Sequence, residues 1–142
     1  MLSPRASHHA AHVLRLAPGH AVTLFNGDGA EYAALVVEVA RGGVALEIGE
    51  RRAVDRESPL VLVLAQAVSS GERMDFTVQK AVELGVASIE PLVSGRGVVR
   101  LDAARAAKRL AHWRAVAVAA CEQCGRNRVP EISPPVAFGD WI

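Results

Sequence analysis

The chain has 142 residues, of which 51% are hydrophobic and 22% are charged, a composition typical of folded globular proteins and not of disordered ones. Aromatic residues make up only 4%, which argues against the aromatic stacking surfaces of many single-strand RNA binders. The net charge is +1, so any affinity for nucleic acid must come from a local patch.

Three features of the sequence bear on where the protein works. No apolar run is long enough to span a bilayer, and the N-terminus lacks the apolar core of a signal peptide. The two cysteines do not form a secreted disulfide framework. We therefore expect a cytoplasmic protein with no membrane partner.

The first part of the chain predicts one short helix followed by an antiparallel β unit. Ser7 is expected to cap the helix, and Pro18-Gly19 to end it. Asn26-Gly27-Asp28-Gly29 predicts a hairpin turn, because these residues tolerate positive φ. Three strands are predicted, at residues 21–25, 31–40 and 44–48.

A charged segment, Arg51 to Ser58, ends at Pro59 and predicts a domain boundary. The domains are accordingly expected at residues 1–57 and 58–142. The apolar run from Leu60 to Ala65 is expected to be a strand buried on both faces of a parallel sheet.

The rest of the chain alternates between helical and strand patterns. A first helix starts after Ser69-Ser70-Gly71 and ends at Gly85, and Asp102 is expected to cap a second helix that ends at Gly125. Strands are predicted at residues 89–93 and after Pro130. The strand–helix–strand–helix–strand order predicts a parallel α/β domain.

A basic patch extends from Arg96 to Arg128, where eight cations stand against two acids. Such a surplus of six positive charges suits phosphates, and arginine also pairs with base edges. An ordinary solvated helix face explains the same charges equally well. Within the patch a short polar loop, Arg126-Asn127-Arg128, follows the end of the second helix and is expected to present its side chains to an anion or a nucleobase.

The sequence offers no convincing metal site. Cys121 and Cys124 form a C-x-x-C pair without further ligands, at the helix end that disfavours thiolates, so buried structural cysteines are expected and a redox pair is the alternative. His8, His9 and His12 have no carboxylate or cysteine close to them in the sequence.

Four stretches together resemble a known family. The first is 8–16 with Pro18-Gly19, and the second is 24–29. The third runs from Asp55 to Leu92 and includes Gln66, 71–76, Gln79-Lys80, 83–86 and Pro91-Leu92. The fourth is Cys121-Glu122-Gln123-Cys124-Gly125-Arg126 with 129–132. In this respect the chain resembles the ribosomal RNA small subunit methyltransferase E family. The resemblance implies a PUA-like β-barrel domain followed by a SPOUT-type α/β domain that ends in a trefoil knot. It also implies a homodimer that methylates N3 of a uridine in 16S ribosomal RNA, with S-adenosylmethionine as methyl donor.

The resemblance also turns helix residues into candidate site residues. Catalytic roles are predicted for Arg126, as a cation for the developing uracil anion or for a phosphate, and for Glu83, a candidate base together with Glu122. Gln66 and Ser69 are predicted to contribute to cofactor binding. From the resemblance and the basic patch together, RNA contacts are predicted at Arg15, Lys80, Arg96, Arg100, Gln123, Arg126, Asn127 and Arg128.

The family pattern continues beyond Ile142 into glycine-rich segments that form the knot and most of the cofactor cradle. We therefore expect a truncated form that lacks most of the donor site. The alternative is a non-catalytic RNA-binding module that uses the PUA-like domain and the basic loop.

Overall fold

A computed structural model of the chain describes residues 1–95 and 102–142. The chain divides into two compact units, Met1–Asp55 and Arg56–Ile142. The division falls two residues before the boundary expected from the charged segment.

The first unit is a three-stranded antiparallel sheet with a short helix. Helix α1 (Pro4–His8) continues into a π-helix (His9–Val13), and the strands are β1 (Ala21–Phe25), β2 (Ala30–Ala40) and β3 (Gly43–Ala53), in the order β1-β2-β3. The predicted hairpin turn is confirmed: Gly27 and Gly29 have φ of 91° and 86°, and Asp28 Oδ1 accepts from Ala30 N at 2.8 Å. β3 is longer than predicted and includes Arg51 and Arg52.

The helix cap was placed wrongly by the sequence analysis. Ser3, not Ser7, caps α1: its side chain accepts from the backbone N–H of Ala6, and Pro4 occupies the first turn, where its missing N–H costs nothing. Ser7 is instead buried, and its hydroxyl accepts from Val44 N at 3.2 Å and donates to Leu2 O. Ser7 thereby holds the helix to the start of β3.

The second unit is a parallel sheet with helices between its strands. Its elements are β4 (Val63–Ala67), α2 (Glu72–Glu83), β5 (Ser88–Val93), α3 (Ala103–Cys124), β6 (Glu131–Ile132), β7 (Val136–Ala137) and α4 (Phe138–Trp141). The described strands follow the order β4-β5-β6, β7 also pairs with β5, and every pair is parallel. The predicted α/β class, with an antiparallel PUA-like part and a parallel SPOUT-like part, is confirmed.

The core of this unit lies where α2, α3 and β5 meet. Met74, Val78 and Val82 of α2 are fully buried. Ala117 of α3 is also fully buried, and Trp113 is 2% exposed. Asp102 caps α3 as predicted, with Oδ1 accepting from Arg105 N at 2.8 Å. Gly125 ends the helix at φ 81°, in the left-handed region that favours glycine.

Two burial predictions are wrong. The apolar run from Leu60 to Ala65 is not a strand buried on both faces, because β4 begins only at Val63. Leu60 and Val61 precede the strand and are more than half exposed, and Val63 is 56% exposed because β4 lies at the edge of the described sheet. On α3, Cys121 packs in the core and Cys124 is exposed, so only the first cysteine is structural in the sense predicted.

Candidate functional site

The turn after α3 forms a buried polar junction centred on Arg126, whose side chain is only 7% exposed. Its Nη1 donates to the carbonyl oxygens of Val82 at 3.0 Å and Val86 at 3.1 Å, which lie at and just beyond the end of α2. Its Nε donates to Glu57 Oε1 at 3.2 Å, and Nη2 pairs with Glu57 Oε2. Four of the five N–H groups of the guanidinium are therefore used inside the unit.

The electrostatics of this junction favour a permanently charged arginine. Burial alone would lower the pKa of Arg126, but the hydrogen bond and the charge of Glu57 raise that pKa above its ordinary value. Val82 O also accepts from Gly85 N at 3.0 Å, so Arg126 adds a second donor to that carbonyl and bonds Val86 O just beyond the helix. Arg126 thus joins the segment after the boundary, the end of α2 and the turn after α3.

The loop does not present its side chains as one cationic surface, which corrects the sequence analysis. Arg126 and Asn127 are buried, at 6% and 1% exposure, because the first pairs with Glu57 and both belong to the turn packed behind α3. Gln123 and Arg128 are exposed. The RNA contacts predicted for Gln123 and Arg128 are thus sterically open, whereas those predicted for Arg126 and Asn127 require the turn to rearrange.

A second polar cluster lies on α2. Glu83 accepts from Lys80 Nζ at 2.6 Å and from Gln79 Nε2 at 2.8 Å. The hydrogen bonds from Lys80 and then Gln79 hold the pKa of Glu83 below its ordinary value, against a smaller opposing effect of burial. A carboxylate stabilised in this way is a poor proton acceptor, so these contacts favour a positioning role for Glu83 over the predicted role as a base. The side chain of Lys80 is 44% exposed and its ammonium lies 5.8 Å from the ring centroid of Phe76.

The carboxyl end of β4 and the residues just after it carry both residues predicted to contact a cofactor. Val68 N donates to Leu92 O at 2.8 Å and holds the chain after β4 against the end of β5. Ser69 follows, and its hydroxyl oxygen is buried with no hydrogen-bond partner in the structure. Gln66, within β4, donates to Ala67 O. Ligands of open α/β sheets bind at such strand ends, and an unpaired buried hydroxyl there is available to one.

The remaining predicted RNA contacts lie in other parts of the chain. Arg15 is exposed in the first unit and has an unusual positive φ of 52°. Arg96 and Arg100 fall outside the described residues, so the predictions for them stay open.

A cationic groove on α3 lies outside the candidate site that was predicted from the sequence. Four side chains line one open groove of about 460 Å³: Arg105, Lys108, Arg109 and His112. The signal was visible as basic residues at helical spacings of three and four, which place them on one face. The partner of Arg126, Glu57, had no such signal, because 69 residues separate the two in sequence.

The burial of Cys121 favours a structural role for this cysteine over a role in a redox pair. Burial raises the pKa of the Cys121 thiol to about 11, against the opposing charge of Arg126, so the thiolate is disfavoured. Across residues 1–95 and 102–142, no group of three or more histidine, cysteine or acidic side chains could hold a metal ion. The helices of the same residues include none with the length and apolarity needed to cross a bilayer.

Comparison with known proteins identifies the family. The RNA methyltransferase domain matches residues 56–142, and the RNA methyltransferase PUA domain matches residues 2–49. The chain belongs to this RNA methyltransferase family. The resemblance to the ribosomal RNA small subunit methyltransferase E proteins is confirmed by the relatives within it.

Among those relatives, the ribosomal RNA small subunit methyltransferase E of Buchnera aphidicola from Schizaphis graminum is 32% identical over 99% of this chain and 57% of its own length. A methyltransferase from Legionella pneumophila, solved with bound S-adenosylmethionine, is 45% identical with a TM-score of 0.94, over 99% of this chain and 58% of that one. The ribosomal RNA small subunit methyltransferase E of Neisseria gonorrhoeae, also solved with S-adenosylmethionine, is 44% identical with a TM-score of 0.92, over 99% and 57%. The chain therefore spans somewhat more than half the length of these RNA methyltransferases.

Proposed function

We propose that the complete gene product transfers a methyl group from S-adenosylmethionine to N3 of a uridine in 16S ribosomal RNA. In this proposal residues 1–57 bind RNA, residues 58–142 begin the methyltransferase domain, and the enzyme works as a cytoplasmic homodimer. The observation that carries the proposal is the match of 99% of the chain, at 44% identity, to the S-adenosylmethionine-bound methyltransferase E of N. gonorrhoeae.

The residues at the carboxyl edge of the sheet fit a cofactor of this kind. The Ser69 hydroxyl is buried with no hydrogen-bond partner among residues 1–95 and 102–142, and a ligand with polar groups would satisfy it. We assign Ser69, with Gln66 beside it on β4, to the binding of S-adenosylmethionine. When bound, this cofactor supplies an electrophilic methyl group on a sulfonium.

The chemistry of uridine N3 defines what the protein must provide. N3 reacts once its proton has left, and the negative charge that develops on the uracil is stabilised by a nearby cation. Lys80 is suited to that role or to a phosphate contact, because its ammonium is partly exposed and is fixed by Glu83 at 2.6 Å. Arg126 and Glu83 enter the proposal as positioning residues, because the hydrogen bonds described above for both side chains are made to other groups of the protein.

The chemistry is tested by incubating the complete gene product with methyl-labelled S-adenosylmethionine and small ribosomal subunits that lack the modification. Nucleoside analysis of the digested RNA should find the label in 3-methyluridine. A label in 5-methyluridine or on ribose would contradict the proposed acceptor atom. RNA binding without any methyl transfer would favour the alternative, a non-catalytic RNA-binding module.

Two variants test the assigned roles in the same assay. Ser69→Ala should raise the concentration of S-adenosylmethionine needed for half-maximal rate without lowering the melting temperature, because the hydroxyl makes no hydrogen bond to any described residue. Lys80→Ala should lower the maximal rate, and Arg73→Ala, an exposed cation on the same helix, is the matched control.

A further inference from the structure

The cationic groove on α3 has the charge and the exposure of a phosphate-binding surface. Arg105, Lys108, Arg109 and His112 lie at relative positions 0, 3, 4 and 7 and therefore on one face, over a length of about 10 Å. Lys108, Arg105 and His112 are exposed, and Arg109 is half-buried. All four side chains line the same open groove, so the positive charges of Arg105, Lys108 and Arg109 act on one volume.

The acids near the groove lie at its two ends and leave its centre uncompensated. Asp102 pairs with Arg105, with 3.3 Å between Oδ2 and Nε, and Asp75 of α2 pairs with His112 at 2.8 Å. Among the described residues, Lys108 and Arg109 form no ion pair with any acid. Two neighbouring cations with no counter-charge raise the free energy of the isolated chain, and an anion would offset that cost.

We propose that this groove binds the phosphate backbone of RNA, as a contact surface separate from the polar cluster of α2 and from the sheet edge. The inference rests on the proposed function only in naming RNA as the anion. An α-helix face with cations on successive turns follows a strand of phosphates and reads no bases, so the contact is independent of sequence. Its role is to hold the RNA in register while other residues select the nucleotide.

The magnitude follows from counterion release. On a single strand each neutralised phosphate adds about 0.7 to the slope of log affinity against log salt, which amounts to roughly fivefold in affinity at about 0.1 M salt relative to 1 M. Loss of both Lys108 and Arg109 should therefore weaken binding roughly 25-fold at about 0.1 M salt and reduce the slope by about 1.4.

The test uses the 142-residue chain, a fluorescein-labelled oligouridine RNA and fluorescence anisotropy across a salt series, with no methyl donor present. Lys108→Ala/Arg109→Ala should show the loss just given, and Lys108→Arg should retain the salt slope. Arg73→Ala removes one exposed cation of the same unit outside the groove and should change affinity less than twofold. The proposal would be overturned if each cation removed from the groove weakened RNA binding by the same factor as the cation removed in Arg73→Ala. It would also be overturned if the wild-type chain did not bind RNA.

A variant that is expected to strengthen RNA binding distinguishes a direct contact from a loss of structure. Asp102→Asn keeps an oxygen that can cap α3, because asparagine is as good a cap as aspartate, but it removes the acid that pairs with Arg105. Binding should become up to about fivefold tighter, as one further cation is released to the RNA. Unchanged or weaker binding by a folded Asp102→Asn chain would contradict the inference.

Phospholipid headgroups carry the same chemistry and are the competing source of phosphate. Vesicles of phosphatidylserine and phosphatidylcholine should bind the chain no better than vesicles of phosphatidylcholine alone. The proposal would be overturned if Lys108→Ala/Arg109→Ala weakened binding to the vesicles but left binding to RNA unchanged. No methyl transfer occurs in these binding measurements. A failure of the groove variant to weaken RNA binding would therefore count against the groove alone, whereas a failure of the complete protein to methylate RNA would count against the proposed function.

Discussion

Replacement of Arg126 by alanine should destabilise the second unit far more than its position in a surface turn suggests. Arg126→Ala removes both hydrogen bonds to the carbonyls of Val82 and Val86 and the ion pair between Arg126 and Glu57. Loss of one partner from a buried ion pair costs about 3–5 kcal/mol. The Glu57 side chain is 22% exposed and regains part of its hydration, so we expect a value near the lower end, about 3 kcal/mol.

Variants of Glu57, Arg126 and Arg128 separate the contributions of the charge and of the hydrogen bonds to the free energy of unfolding. Glu57→Gln keeps a hydrogen-bond acceptor for the guanidinium and should cost about 1–2 kcal/mol. Arg126→Lys keeps the charge but cannot reproduce the forked contacts, and should fall between Glu57→Gln and Arg126→Ala. Arg128→Ala is the matched control: this arginine is two residues away and exposed, and its loss should change stability by less than about 0.5 kcal/mol.

The assay is urea unfolding followed by tryptophan fluorescence. Trp113 is 2% exposed in the core of the second unit and reports its unfolding, whereas Trp141 is 45% exposed and serves as an internal reference for solvated indole. If Arg126→Ala and Arg128→Ala shift the midpoint equally, the reasoning about the buried junction is refuted.

Four further predictions concern the ends and the core of α3. Asp102→Ala removes the side-chain cap and should cost about 1 kcal/mol in urea unfolding, whereas Asp102→Asn should cost little. Gly125→Ala places a side chain at φ 81° with no neighbouring atom within 4 Å, so only backbone strain of about 1 kcal/mol should appear, and a loss above about 3 kcal/mol would contradict this geometry. The raised pKa of Cys121, about 11 against an ordinary 9.0, means that the unfolded chain loses its proton first. Stability should thus fall by about 2 kcal/mol between about pH 9 and about pH 10.5, and Cys121→Ala should lack this part of the pH dependence. In native chain, a thiol reagent should modify Cys124 quickly and Cys121 slowly, and equal rates would contradict the burial of Cys121.

Local chemistry explains why most of the fold was predictable from the sequence. Asn26-Gly27-Asp28-Gly29 allows little other than a turn, Asp102 and Gly125 define the two ends of α3, and the 3.6-residue period of α2 is clear at Met74, Val78 and Val82. Each of these signals depends on neighbours within one helical turn or one hairpin. The wrong cap at Ser7 came from two capping residues close together, of which the one before Pro4 is used.

The candidate site was less predictable, because its decisive contacts are long-range. Nothing near Arg126 indicates that it pairs with Glu57 or accepts the role of a cap for α2. The exposure of Val63 depends on which strands flank β4, and an apolar run in the sequence is compatible with a strand at the edge or at the centre of a sheet. The groove on α3 was visible as a pattern of charges, and Asp102 at one end of it was predicted as the helix cap, but the position of Asp75 at the other end required the packing of α2 against α3.

The most direct measurement for the proposed activity is primer extension on 16S ribosomal RNA after incubation of small subunits with the complete gene product. A methyl group on N3 blocks the Watson–Crick edge of uracil, so reverse transcriptase stops there. We predict one stop that requires S-adenosylmethionine and lies opposite a single uridine. No such stop, or stops dispersed over many nucleotides, would contradict the assignment of this chain to a site-specific uridine methyltransferase.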